Sequence, residues 1–160
     1  MNKLIFILSI TLILGIVSIS GCTDSGTGNK TYSGEGISFN YPDTWTVENG
    51  SITTPNSGMG EIMNVSIKEY ASEPPAIPAT LNAVAQNVHE NITGTHDKKI
   101  VTVAGVKGIE YIPTGSNIDR QRVDIFFAKG DNFYDIFITT NDYESDKSGF
   151  EMIIKTLKFN

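Results

Sequence analysis

Cysteine is almost absent from this chain of 160 residues, with Cys22 the single example. One thiol excludes an internal disulfide framework and a cysteine-based structural zinc site. Histidine is nearly as scarce, with only His89 and His96. They do not form an i, i+4 pair, so their spacing gives a metal site no support, and both read as surface or edge residues. Basic residues are outnumbered, 12 Lys and Arg against 18 Asp and Glu, for a formal charge of −6. Such a balance repels phosphate backbones and anionic headgroups, which excludes nucleic acid as the partner. No G-x-S-x-G elbow, phosphate-binding glycine loop, internal repeat or low-complexity block occurs. The residues therefore assign no catalytic group, no metal and no cofactor.

What is present begins with a hydrophobicity that is unevenly spread. After Lys3, residues Leu4 to Val17 form an uncharged run of 14 residues. At ~1.5 Å per residue a helix of that length spans roughly 21 Å, short of the ~30 Å core of a bilayer. Residues 1–21 therefore read as a secretory signal peptide instead of a permanent span. Ser20-Gly21-Cys22 places small residues directly before the lone cysteine and resembles the lipobox of prokaryotic lipoproteins. In that family the thiol is alkylated with diacylglycerol and the cysteine becomes the first residue of the mature chain. The resemblance implies lipidation at Cys22, membrane contact through that anchor, and a place on the extracytoplasmic face of the cell membrane. Residues 22–33 read as a flexible polar tether. Loss of the leader removes one charge, Lys3, so the mature domain stays acidic and no basic patch backs the anchor.

Beyond the tether the patterns alternate between strand and helix. Gly36 to Tyr41 alternates apolar and polar residues and stops at Pro42-Asp43. Asn49-Gly50 predicts a hairpin between Trp45–Val47 and Ser51–Thr54, followed by a longer strand from Glu61 to Tyr70 whose Met63, Val65 and Ile67 share a face. Past the proline-rich EPPAIP, residues Leu81, Val84, Ala85, Val88 and Ile92 form one apolar stripe of a helix with Thr80 as N-cap. Strands are expected over Lys99–Val103, Lys107–Ile112, Arg120–Ala128 and Asn132–Thr140, with turns at Ala104-Gly105 and Gly130-Asp131. Phe150, Ile153, Ile154 and Leu157 return to helical spacing. The carboxylates of Asp142, Glu144 and Asp146 alternate as in a calcium loop, but Lys147 stands where that loop needs glycine and Ile153 where it needs a bidentate glutamate. They are read as complements to the dipole of the last helix. The fold class is α+β, an antiparallel β-sheet with two packed helices, in a domain spanning residues 34–160.

Phe39-Asn40-Tyr41-Pro42-Asp43-Thr44-Trp45 resembles the F-x-Y-P-x-x-W opening of PsbP-like proteins. Val103 to Tyr111 is similar to a G-x-x-(G/A)-x-x-Y hairpin of that family, and Tyr134, its strand and the final helix complete the order of elements. The resemblance implies an antiparallel sheet with helices packed on it. Relatives of that kind, including the DcrB-type lipoproteins, are mostly accessory binding or assembly proteins without a shared enzymatic site. The leader and lipobox favour the PsbP-related lipoproteins, and no photosystem partner is carried over.

The expected function is a non-catalytic binding or assembly module with a protein partner. A small-ligand or solute-binding lipoprotein is the second reading and an unrecognised hydrolase the third. Alternation along the strands containing Val123–Phe127 and Tyr134–Ile138 puts aliphatic residues on one face and mixes aromatics with aspartate on the other. Asp124, Phe126, Asp135 and Phe137 form the expected partner surface, suited to a basic or amphipathic partner. Phe39, Tyr41 and Trp45 are assigned to the core. Four N-x-S/T sequons, at Asn29, Asn49, Asn64 and Asn91, are candidate glycosylation acceptors if the chain is exported.

Overall fold

The computed structural model describes residues 28–66, 80–90, 95–114 and 120–160. The leader, Cys22, the proline-rich stretch and Asn91 lie outside them. The described strands are β1 (Asn29–Gly34), β2 (Ile37–Pro42), β3 (Thr46–Glu48), β4 (Ser51–Thr53), β5 (Met59–Ser66), β6 (His96–Val103), β7 (Val106–Pro113), β8 (Gln121–Lys129), β9 (Asn132–Thr140) and β10 (Lys158–Phe159). Helix α1 covers Leu81–Glu90 and helix α2 covers Tyr143–Thr156.

The strands form two sheets where the sequence suggested one. Seven strands run in the order β3-β4-β5-β9-β8-β7-β6, and a smaller sheet runs β1-β2-β10. All the strand pairs are antiparallel. Strand β1 corrects the expected tether, because residues 29–33 are hydrogen-bonded to β2 from Asn29↔Pro42 onward. It escapes sequence patterning because it is an edge strand, exposed along most of its length, with Tyr32 its only large apolar side chain. Strand β10 is too short for any periodicity. It is held by pairing with Ile37 and Ser38 and by the Asn160 amide N–H donating to the Gly36 carbonyl at 3.0 Å.

Local chemistry accounts for the elements that were anticipated. Thr80 caps α1, its hydroxyl accepting from the Ala83 amide at 3.3 Å. Asp142 caps α2 through the Ser145 amide at 3.2 Å, so this carboxylate serves the helix terminus as expected. Asp146 does more: it is buried, and its carboxylate accepts from Thr54 at 2.9 Å, Thr140 at 2.6 Å and Asn56 at 3.1 Å. That network ties α2 to β9 and to the loop after β4.

The main core lies between the inner face of the large sheet and a layer made of α2 and β2. Ile125, Phe127, Ile136 and Ile138 meet Ile37, Phe39, Phe150 and Ile153, all at most 1% exposed. Phe39, Tyr41 and Trp45 are buried there, as assigned. The outer face of the large sheet is covered by α1. Its Ala85, Leu81 and Val88 pack on Ile109, Tyr111 and Phe126 in a second, smaller cluster.

Glu35 supplies a prediction. It precedes Gly36 in the β1–β2 turn and adopts φ +53 although it has a Cβ, a conformation that asparagine tolerates better. Glu35 is exposed, so Glu35→Asn is expected to stabilise the domain by about 0.5–1 kcal/mol, read as a higher denaturant midpoint at unchanged slope.

Candidate functional site

Four residues expected to form a partner surface share the outer face of the sheet, as the register confirms: Asp124 stands opposite Phe137 and Phe126 opposite Asp135. They are not a free surface. Asp124 is 0% exposed, Phe126 2% and Asp135 6%, and only Phe137 keeps partial exposure. The correction has a simple cause, since α1 docks on this face and seals the centre of it. The alternation correctly separated two faces, but both are packed.

Burial turns the two aspartates into a charge cluster that needs a counterion, and Arg122 provides it. Its Nε donates to Asp124 Oδ1 at 2.7 Å, and its terminal nitrogen reaches Asp124 Oδ1 at 2.6 Å and Asp135 Oδ2 at 3.3 Å. The guanidinium also lies 3.7 Å from the Phe137 ring centroid, a cation–π contact. One cation thus serves two buried carboxylates, and Asp124 Oδ2 and Asp135 Oδ1 have no hydrogen-bond partner. Arg122 went unnoticed in the sequence, although its position two residues before Asp124 on a strand puts both on one face.

The histidines are drawn into the same region. His89 on α1 stacks on Tyr111 at 3.9 Å between centroids, and His96 on β6 meets His89 edge-on at 5.0 Å. His96 Nε2 lies 3.0 Å from the Arg122 carbonyl. A carbonyl can only accept, so this contact places the proton on Nε2. Both residues are half-buried edge positions, and their Nδ1 atoms lack partners. Among the described residues no group of three or more His, Cys, Asp or Glu is arranged to hold a metal ion.

Titration follows from these surroundings. Burial raises the Asp124 carboxyl above its ordinary range against the opposing pull of Arg122. Asp135 is pushed well above its range by burial and then by the Asp124 charge. His89 is lowered, first by burial and then by His96 and Lys98. The folded chain therefore keeps protons on its aspartates that the unfolded chain has released. From the unfolded value near 3.8 up through the raised folded values, rising pH removes stability. His89 works the other way, because the unfolded chain protonates more readily near 6.5 and stability falls as pH drops through that value. Asp135→Asn is expected to stabilise the domain at pH 8 by about 1 kcal/mol or more, with the gain shrinking toward pH 5. Urea denaturation at the two pH values checks it, and a gain that is equal at both would refute the assignment.

Beside the cluster lies a narrow cleft of about 40 Å³ between α1 and the sheet. Met63, Val65, Leu81, Val84 and Phe133 line it, with Asp135 as its polar group. Met63 and Val65 lie on this outer face, while the buried residue of β5 is their neighbour Ile62 on the inner face. Of the sequons, Asn29, Asn49 and Asn64 are exposed, and Asn64 also donates to the Glu35 carbonyl at 3.3 Å.

The family profile of PsbP-like proteins matches residues 16–159. The chain belongs to the PsbP-like family. Solved structures agree on the fold of this PsbP-like chain. It is similar to cyanobacterial PsbP (CyanoP) from Synechocystis sp. PCC 6803, at 14% identity and TM-score 0.51 over 89% of this chain and 99% of that one. It is also similar to LpqN from Mycobacterium tuberculosis, a protein involved in cell envelope biogenesis, at 10% identity and TM-score 0.50 over 82% of this chain and 90% of that one. No curated protein matches it in sequence. The α+β reading and the resemblance seen in Phe39 to Trp45 are thereby borne out.

Proposed function

We propose that this PsbP-like chain is an extracytoplasmic accessory protein, anchored through lipid on Cys22, that binds a protein partner without catalysis on the α1 side of its large sheet. The observation that carries the binding surface is the placement of exposed apolar side chains. Met59, Met63 and Ile100 are 61%, 36% and 55% exposed, and strand register puts all of them on the outer face, flanking α1. The expected surface thus moves from the three buried residues Asp124, Phe126 and Asp135 to the rim around them, with Phe137 at its edge. Met59 and Met63 on β5 and the half-exposed Phe137 on neighbouring β9 form one apolar group, while Ile100 stands apart on β6 beyond α1, and it is this group that favours a partner interface. The anchor is supported by the family match beginning at residue 16, ahead of the fold, so that Cys22 falls within the matched region. The relation to a mycobacterial cell-envelope protein is consistent with that location. A small-ligand site under α1 is disfavoured, since the cleft of about 40 Å³ falls far below the ~300–1,000 Å³ of ordinary ligand pockets.

Two measurements test this reading in a host that processes lipoproteins. Wild type should lose residues 1–21, gain lipid mass and partition with membranes, while Cys22→Ser should do none of these. In mildly solubilised membranes wild type should migrate as a complex, and Met59→Glu with Met63→Glu should return it to the mass of the single chain. Equal behaviour of wild type and Cys22→Ser removes the anchor, and equal migration of wild type and the double variant removes the surface.

A further inference from the structure

On the opposite side of the large sheet, helix α2 leaves a groove between itself and strands β6 and β7, with a volume of about 380 Å³. We propose that this groove binds a small aliphatic carboxylate. It is separate from the α1 face, so the proposal stands or falls independently of the function above.

The groove follows from the architecture. Helix α2 packs against β2 and β8, while β7 and β6 extend past it to the edge of the sheet. The inner-face residues of that overhang meet side chains of α2 across an open channel. The volume lies within the ~300–1,000 Å³ range of small-molecule sites.

Its lining is divided by chemistry. Val101, Ile112 and Ile154 supply an apolar wall, which calls for an aliphatic body. Lys99, Lys147 and Lys155 line it, Lys147 also reaching Glu144 at 3.9 Å, in a chain whose net charge is −6. Glu151 also lines the groove, and its carboxylate is engaged by Lys155 at 3.0 Å. The remaining polar groups, Glu110 and Tyr143, are nearly buried, at 6% exposure each. Glu110 stands opposite Lys99 on β6 and opposite apolar Ile125 on β8, and Lys147, Glu151 and Tyr143 approach from α2.

Burial is the chief influence on Glu110 and raises its carboxyl; Glu151 adds to this, while Lys99 and Lys147 oppose it. Tyr143 is pushed up to about 12, chiefly by burial and then by Glu110, so its hydroxyl keeps its proton. The Tyr143 hydroxyl and the ammonium groups are hydrogen-bond donors, and Glu110 becomes one when it carries its proton. The groove thus offers donors and positive charge beside an aliphatic wall. A carboxylate on a short hydrocarbon chain satisfies both halves, whereas an amine meets like charge and inorganic phosphate leaves the wall uncovered.

The test is a titration of the full chain in detergent, observed by NMR of the backbone amides, with hexanoate, hexylamine and inorganic phosphate as separate probes. Hexanoate should shift the amides of Lys99, Val101, Ile112 and Lys147 saturably, and the other two probes should not. Affinity should weaken as pH rises through the raised Glu110 value, where the side chain loses its proton and its charge opposes the ligand. Glu110→Gln keeps a donor without the charge, and it should bind hexanoate with that decline removed. Lys99→Gln with Lys147→Gln should weaken binding about tenfold while the amide spectrum stays dispersed. Absence of saturable hexanoate shifts in wild type overturns the proposal, as does equal binding of phosphate or hexylamine.

Discussion

Arg122→Ala is expected to destabilise the domain by about 3–5 kcal/mol, because it leaves two buried carboxylates without their cation. Asp124 is fully buried and Asp135 is 6% exposed, and Arg122 is the only cation that contacts either among the described residues. The same substitution strips the cation–π contact with Phe137. Mere loss of packing would give a destabilisation independent of pH. Loss of a counterion gives one that diminishes on acidification, since protonating the aspartates removes the charge left unpaired. Adding Asp124→Asn and Asp135→Asn should restore most of the stability for the same reason. Urea denaturation at pH 8 and pH 5 separates these outcomes. A single variant within 1 kcal/mol of wild type at pH 8, or a loss equal at both pH values, would show that the cluster is not held by charge.

Gly149→Ala should also be costly, against the usual rule for helices. In an exposed helix interior, alanine is favoured over glycine by about 1 kcal/mol. Gly149 sits in α2 where an added Cβ would come within 2.3 Å of the Trp45 ring, and Trp45 is 3% exposed. The ring is locked in the main core, so α2 must move away from the sheet and loosen Phe150 and Ile153 with it. The expected loss is about 3 kcal/mol, at the upper end of overpacking effects. Trp45 is the only tryptophan, so its fluorescence reports on the same displacement directly. Trp45→Phe in the Gly149→Ala background should recover part of the loss, because the smaller ring opens space beside the helix. A stabilised Gly149→Ala variant would mean that α2 does not seat against Trp45 at this distance.

Much of the fold can be read from neighbouring residues. The Asn49-Gly50 and Ala104-Gly105 turns adopt left-handed conformations, with φ of 49 and 81 in the first and 48 and 80 in the second. Such turns depend on two residues and their flanking strands, which is why they are visible without a structure. The apolar stripe from Leu81 to Val88 and its Thr80 cap depend on helical spacing within a few turns, and they too are legible. The family resemblance over Phe39 to Trp45 rests on the same kind of short-range pattern.

What the sequence by itself determined about this protein is its set of hairpins, its two amphipathic helices, its acidic balance and its family. The tertiary structure decided which surfaces remain open. A strand pattern separates two faces but cannot say which of them a distant helix will cover, and α1 sealing Asp124, Phe126 and Asp135 reversed the meaning of that polar face. Only the fold likewise shows that Asp146 bonds to Thr54, far away in the chain, and that Glu110 faces α2 across a groove. These are non-local effects, set by how elements dock after they form. The pairing of β1 with β2 belongs with them, because an exposed edge strand has too little apolar pattern to announce itself and is held in place by its neighbour's hydrogen bonds.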